Sequence, residues 1–99
     1  MGTTVLSSDQ AHDLADVFQA LSAPTRVRIL AHLAAGPQSV SALVDELAIP
    51  QATLSNHLRV LRNARLVVGD RTGRVVTYRL ADGHVATFFQ QALSHLGHA

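Results

Sequence analysis

Apolar residues recur along most of this chain at every third or fourth position, and over one stretch at every second. In SDQAHDLADVFQALS, Leu14, Val17, Phe18 and Leu21 fall at i, i+3, i+4 and i+7, which predicts an amphipathic helix capped by Ser8 or Asp9. Ser22-Ala23-Pro24 breaks it, and Pro24 suits the first turn of a second helix, TRVRILAHLAAG. That helix turns Val27, Leu30, Leu33 and Ala34 inward and stops at Gly36-Pro37. A short third helix opens at Ser39 or Ser41 and buries Leu43, Val44 and Leu47, and Ile49-Pro50 forces a sharp turn after it. A fourth, QATLSNHLRVLRNA, aligns Leu54, Leu58 and Leu61. The period then drops to two: Leu66 to Val68 and Arg74 to Leu80 are rich in β-branched residues, with GDRTG between them as a hairpin loop. Val76, Tyr78 and Leu80 alternate with Val75, Thr77 and Arg79. A last helix runs from Asp82 to about Leu96, its stripe of Val85, Phe89, Ala92, Leu93 and Leu96 directed at the domain's own core.

Two short helices across a tight turn, followed by a β-hairpin, make a winged helix-turn-helix. The expected fold is mainly α with a hairpin wing: a single domain over 1–99, the helix-turn-helix at about 40–64, the wing at about 66–80 and a closing helix at about 82–97. A chain of 99 residues holds one modest core, yet 47% of its residues are hydrophobic. So rich a composition in so small a domain means either an unusually rich core or apolar surface buried against a partner; a second subunit is the natural remedy, and a homodimer is expected. No apolar run approaches the roughly 18 residues of a membrane span. The N-terminal stretch carries Asp9, Asp13 and Asp16 where a signal peptide would be basic and then apolar, so a cytoplasmic protein is expected. The absence of cysteine excludes disulfides, thiolate catalysis and Cys-based metal sites.

Net charge is only +1, but it is unevenly spread. Residues 51–80 hold Arg59, Arg62, Arg65, Arg71, Arg74 and Arg79 against Asp70 alone, whereas residues 1–50 are net acidic. A basic block within a near-neutral chain is the electrostatic footprint of a nucleic-acid contact, and arginine is the side chain that grips phosphate or guanine through a planar fork. On the fourth helix the face opposite Leu54, Leu58 and Leu61 carries Ala52, Asn56, Arg59 and Asn63, with Ser55 and Arg62 on one flank and Thr53 on the other. Small polar residues near the start of a helix, with arginines further along, suit a major groove. Gln51 can bond an adenine edge, and Arg71 and Arg74 at the hairpin can reach a flanking groove or backbone. His57 lies at the edge of the buried stripe, where packing or capping is expected of it rather than base contact. His12 and His32 read as ordinary surface or core histidines.

The closing helix poses a different problem. Asp82, His84, His95 and His98 form two close pairs of metal-ligand residue types. Along a helix His84 and His95 would be ~16 Å apart, and zinc–nitrogen bonds are about 2 Å, so one chain cannot close the site. The three histidines nonetheless fall within about 60° of one another around the helix. An antiparallel copy across a twofold axis would bring Asp82 and His84 of one chain to His95 and His98 of the other, giving a pair of equivalent sites per dimer.

Helix-turn-helix, wing and this Asp-x-His, His-x-x-His helix together resemble the ArsR/SmtB family of bacterial metal-responsive repressors, in the branch that senses zinc, cobalt or nickel between closing helices. The likeness runs from Ala11 to His98; ALSAPTRVRIL, LSNHLRVLRNARLV and GRVVTYRL are similar to that family's second helix, recognition helix and wing. The resemblance implies an apo dimer that binds operator double-stranded DNA and loses affinity when metal binds. It carries ligation onto Asp82, His84, His95 and His98, base contacts onto Gln51, Thr53, Ser55 and Asn56, and backbone contacts onto the surrounding arginines, Arg59, Arg62, Arg71 and Arg74 among them. The family's other sensing site uses cysteines before the recognition helix; SVSALVDEL has none, which argues against arsenic, lead or cadmium. Gly97, between the last two histidines, departs from the pattern, and the sequence stops at Ala99 without the tail from which nickel-sensing relatives draw further ligands. Four ligands favour tetrahedral Zn(II) or Co(II), with Ni(II) next because it would call on water, His12 or terminal groups. His95 is expected to donate a hydrogen bond from its non-metal ring nitrogen to a main-chain or carboxylate acceptor near residues 63–66.

A zinc hydrolase would need an open water position and a general base in a cleft, so no enzyme is expected. The remaining rival is a winged-helix regulator without metal sensing, or one acting as an activator.

Overall fold

A computed structural model describes residues 5–97. In chain order the elements are α1 (Ser8–Ala20), α2 (Pro24–Ala34), β1 (Gln38–Ser39), α3 (Val40–Leu47), α4 (Gln51–Asn63), β2 (Val67–Thr72), β3 (Val75–Leu80) and α5 (Gly83–His95). The winged helix-turn-helix expected from the periodicities is present, with a third strand that they did not announce. β1 adds to the hairpin antiparallel, in the order β1-β3-β2, with Gln38 opposite Tyr78 and Ser39 opposite Thr77.

Helix ends follow local chemistry. The cap of α1 is Ser7, not Ser8 or Asp9: its hydroxyl accepts from the Gln10 amide while the Gln10 side chain accepts from the Ser7 amide, a reciprocal box that neither neighbour could form. Ser39, rather than Ser41, caps α3 by accepting from the Ala42 amide. The turn from α3 to α4 passes through Ala48 at φ 55° and then Ile49-Pro50. At the end of α4 the Leu66 amide donates to the Leu61 carbonyl and the Arg65 amide to the Arg62 carbonyl, with Arg65 left-handed at φ 62°. This Schellman closure turns the chain sharply from α4 into β2.

The core is built from Ile29, Leu30 and Leu33 of α2, Leu43 and Leu47 of α3, Leu54, Leu58 and Leu61 of α4, and Leu66, Val67 and Tyr78 of the wing, with Ala20 from α1. Each large aliphatic side chain so enclosed contributes about 1.5–3 kcal/mol. The face of α2 is rotated from expectation: Ile29 is fully buried, and Val27 lies on the exposed side. The terminal helices are barely covered. Ala20 is the buried residue of α1, and no residue of α5 is buried. Val85 and Phe89 touch the core, but Leu96, assigned from the sequence to the domain's own interior, is 69% exposed.

The wing also differs from expectation. GDRTG is not a loop: Gly69 to Thr72 continue β2 opposite Val75 to Tyr78, and the reversal is confined to Gly73-Arg74. Gly73, at φ 62°, takes the left-handed conformation that a two-residue hairpin turn needs at its first position. Gly69 is required for another reason. It lies opposite Tyr78, and a β-carbon there would meet the ring at 3.0 Å. We expect Gly69→Ala to destabilise the domain by about 1–3 kcal/mol through displacement of that ring. The loss should appear as a lower urea midpoint at unchanged m-value; an unchanged midpoint would show that the ring moves aside freely.

Candidate DNA interface and metal-ligand helix

Burying Leu54, Leu58 and Leu61 turns the opposite side of α4 outward, next to the wing. Between them runs a cleft of about 550 Å³ lined by Gln51, Ser55, Asn56, Arg59 and Arg62 of α4 and by Arg71 and Arg74 of the wing. No acidic residue lines it, and these four arginines form no ion pair among the described residues. Ser39, Ser41 and Tyr78 also line it, among apolar neighbours such as Val40 and Val76. The sequence offered the two serines only as helix caps and Tyr78 only as a strand residue. The start of α4 has no side-chain cap, since Pro50 occupies that position, so no side chain satisfies its first amides at the positive end of its dipole.

The remaining predicted residues divide. Thr53 is exposed but does not line the cleft. Arg79, counted in the basic block, donates to Asp70 at 3.0 Å and is neutralised locally. Arg65 faces a different hollow, beside Asp13 and Asp16 of α1. His57 is half-buried with Nδ1 3.3 Å from Nη1 of Arg26, so the packing role expected for it holds. His32 pairs with Glu46 at 2.7 Å and links α2 to α3.

Asp82 caps α5, its Oδ1 accepting from the Val85 amide at 3.2 Å. The same oxygen lies 3.5 Å from His84 Nδ1, and the imidazole is 99% exposed. Ligand atoms on a tetrahedral ion with bonds near 2 Å are about 3.3–3.4 Å apart, so this pair already spans one edge of such a site. His95 closes the same helix, likewise exposed. No three His, Asp or Glu side chains converge among the described residues. Leu96 caps the end of the helix and Gly97 is left-handed at φ 81°; His98 lies outside the described residues. His95 donates no hydrogen bond within the described chain to residues 63–66. Leu93, which lines a hollow with Leu66, is about 160° around the helix from it.

A basic cleft between an outward-facing helix and a β-hairpin defines a winged helix-turn-helix DNA-binding protein. The family model of a helix-turn-helix domain matches residues 21–70. The chain is 44% identical to the HTH-type transcriptional regulator NmtR of Mycobacterium tuberculosis over 93 residues, 94% of this chain and 78% of that protein. It is 43% identical to the HTH-type transcriptional repressor SmtB of the same species over 82 residues, 83% of this chain and 61% of that protein. Among solved structures it superposes at TM-score 0.89 and 28% identity on the homodimeric winged helix-turn-helix DNA-binding domain of a possible ArsR-family regulator from Mycobacterium bovis, covering 98% of this chain and 90% of that one. The chain belongs to the ArsR/SmtB family of DNA-binding transcriptional regulators and is not an enzyme. No helix of the described residues is long and apolar enough to cross a membrane.

If the wing arginines hold phosphate, Arg71→Ala should weaken binding by a similar factor on every duplex. It should also make the slope of log affinity against log salt less negative by about 1 for each phosphate no longer neutralised. Weakening confined to one sequence would assign Arg71 to base reading instead.

Proposed function

We propose that the protein is a metal-responsive repressor that acts in the cytoplasm as a homodimer, binding operator DNA without metal and releasing it when Zn(II) or Co(II), or next Ni(II), binds between the closing helices. The observation that carries this reading is α5: a half-site at its start, Asp82 with His84, an exposed His95 at its end, and no residue buried by its own chain. Laid antiparallel on a second copy, each start meets the other's end. Asp82 and His84 of one protomer would then hold the ion with His95 and His98 of its partner. Three nitrogens, one carboxylate oxygen and no thiolate suit zinc or cobalt. When bound, the ion supplies a cross-link between the two copies.

The apolar surface supports the dimer. Phe18 of α1 and Phe88 of α5 stand 6.5 Å apart, both about half exposed. Beside them an apolar hollow of about 210 Å³ lies among Leu21, Val27, Phe88, Phe89 and Leu96. Because α5 also packs on α2 and β3, any change in its angle reaches the helix-turn-helix and wing directly. Operator half-sites lie about 34 Å apart, so a small reorientation of the two reading heads prevents simultaneous docking. Turning a 1:99 mixture into 99:1 needs about 5.5 kcal/mol, above the usual 1–3 for one allosteric ligand, so the effect divides naturally between the two ions of a dimer.

The test uses a duplex enriched from a random-sequence pool by the metal-free protein. Its affinity, read by fluorescence anisotropy, should fall at least ~10-fold with Zn(II) or Co(II), a coupling above ~1.4 kcal/mol. An affinity unchanged by all three metals would leave a DNA-binding regulator without this switch, and one raised by metal would make the ion a corepressor.

A further inference from the structure

We infer that Arg26 and His57 form a clasp that sets the angle of the recognition helix against α1, making both of them positioning residues for DNA binding. All three guanidinium nitrogens of Arg26 are engaged. Nε donates to the Ala20 carbonyl at 2.7 Å and Nη2 to the Gln19 carbonyl at 3.3 Å, capping the C-terminal end of α1. Nη1 lies 3.3 Å from Nδ1 of His57 on α4. Arg26 itself belongs to α2, so one side chain joins three helices.

The chemistry of the contact is one-directional. Guanidinium has no acceptor and does not deprotonate, so His57 Nδ1 accepts and the ring carries its proton on Nε2. The contact is also sensitive to geometry. His57 stands on the flank of α4 between Asn56 and Leu58, the one lining the cleft and the other buried in the core. At a side-chain radius of about 5–6 Å, a turn of ~20° about the helix axis carries the ring about 2 Å, enough to break the bond. That same turn would swing Gln51, Ser55 and Asn56 across the base edges they would read and carry Arg59 off the backbone it would hold. α1 needs such a fastening, because Ala20 is its buried residue and the guanidinium grips the backbone beside it. Lysine could not substitute, since one ammonium cannot reach three acceptors arranged for a planar fork.

The inference rests on α4 being the DNA-reading helix and is independent of metal sensing. The test therefore uses metal-free protein and the duplex enriched by the wild type. Hydrogen bonds to a charged group are worth an order of magnitude in equilibrium terms, so His57→Leu should weaken binding about 10-fold. His57→Asn, whose side-chain oxygen can stand where Nδ1 stood, should stay within about 3-fold of wild type. In an Arg26→Lys background, His57→Leu should add little further loss, because the pair acts as a unit. Nitrogen-15 spectra of the imidazoles should show His57 protonated at Nε2, with that preference lost in Arg26→Lys. Equal affinity in the Leu and Asn variants, additive losses in the double variant, or a His57 ring protonated at Nδ1 would overturn the clasp. A pool that yields no enriched duplex would overturn the DNA-reading assignment itself, and the clasp with it.

Discussion

Phe18→Glu is expected to yield a folded monomer that no longer holds operator DNA. Phe18 is 54% exposed in the single chain, so its removal leaves the core from Ile29 to Tyr78 untouched and helix content should be preserved. In the proposed dimer the same ring lies in the seam with Phe88, and symmetry counts every change twice. Truncating a buried aromatic anchor costs ~2 kcal/mol or more, and two such losses raise the dimer dissociation constant by about 10³. A glutamate enclosed in the seam adds a desolvation penalty on each side. DNA binding falls with dimerisation, because a monomer engages one half-site and forfeits an avidity gain of about 10²–10⁴. Sedimentation equilibrium should show a monomer at micromolar concentration. The salt dependence of residual DNA binding should be about half as steep, since half the phosphates are contacted. A Phe18→Glu protein that remained dimeric with full affinity would move the seam away from α1 and α5.

That expectation depends on a distinction the sequence could not make. The apolar stripe of α5 is plain in Val85, Phe89, Ala92, Leu93 and Leu96, and the helix it predicts is present. Periodicity shows which face avoids water, but not whether the same chain covers it. Val85 and Phe89 reach the core; Leu96 does not. The same holds for Leu14 and Phe18 in α1. The interior of the helix-turn-helix was legible because Leu54, Leu58 and Leu61 bury one full side of α4, and burial of one side fixes what the other presents. Hence the cleft-lining residues Gln51, Ser55, Asn56, Arg59 and Arg62 could be named in advance, whereas Thr53, on the far flank, could not be separated from them.

What escaped was set by tertiary pairing. Gln38 and Ser39 carry no strand signal, and they extend only because the edge of β3 offers hydrogen bonds. GDRTG looks like a turn because glycine and aspartate favour turns. Yet Gly69 is glycine because Tyr78 lies over it, and Asp70 stays in the strand with Arg79 as its partner. The charge count was likewise an upper bound, as it could not show that Arg79 is paired or that Arg65 turns away from the cleft. Arg26 carried no distinctive signal at all, since its partners are main-chain carbonyls of α1 and an imidazole 31 positions away.

His84→Ala and His95→Ala should each abolish tight metal binding alone and restore part of it when mixed. In the single variants every site of a symmetric dimer loses one imidazole of four donors, and the loss of a ligand costs more than the 10–100-fold typical of outer-shell partners. In a mixed dimer the two defects fall together. One site lacks both imidazoles, while the other takes Asp82 and His84 from the His95→Ala chain and the opposite pair from the His84→Ala chain, and is whole. Random exchange makes about half the dimers mixed, each with one good site of two, so about a quarter of the wild-type capacity should return. Equilibrium dialysis with Co(II) reads capacity, and the visible absorption of cobalt distinguishes tetrahedral from octahedral coordination. This outcome cannot arise if each protomer binds metal alone, because neither variant chain carries a full set. Mixing that recovers nothing, with the wild type binding stoichiometrically, would mean that the ligands do not cross between subunits. Full binding by His84→Ala would remove the Asp82–His84 edge from the site altogether, and with it the metal-based reason for laying α5 antiparallel on its twin.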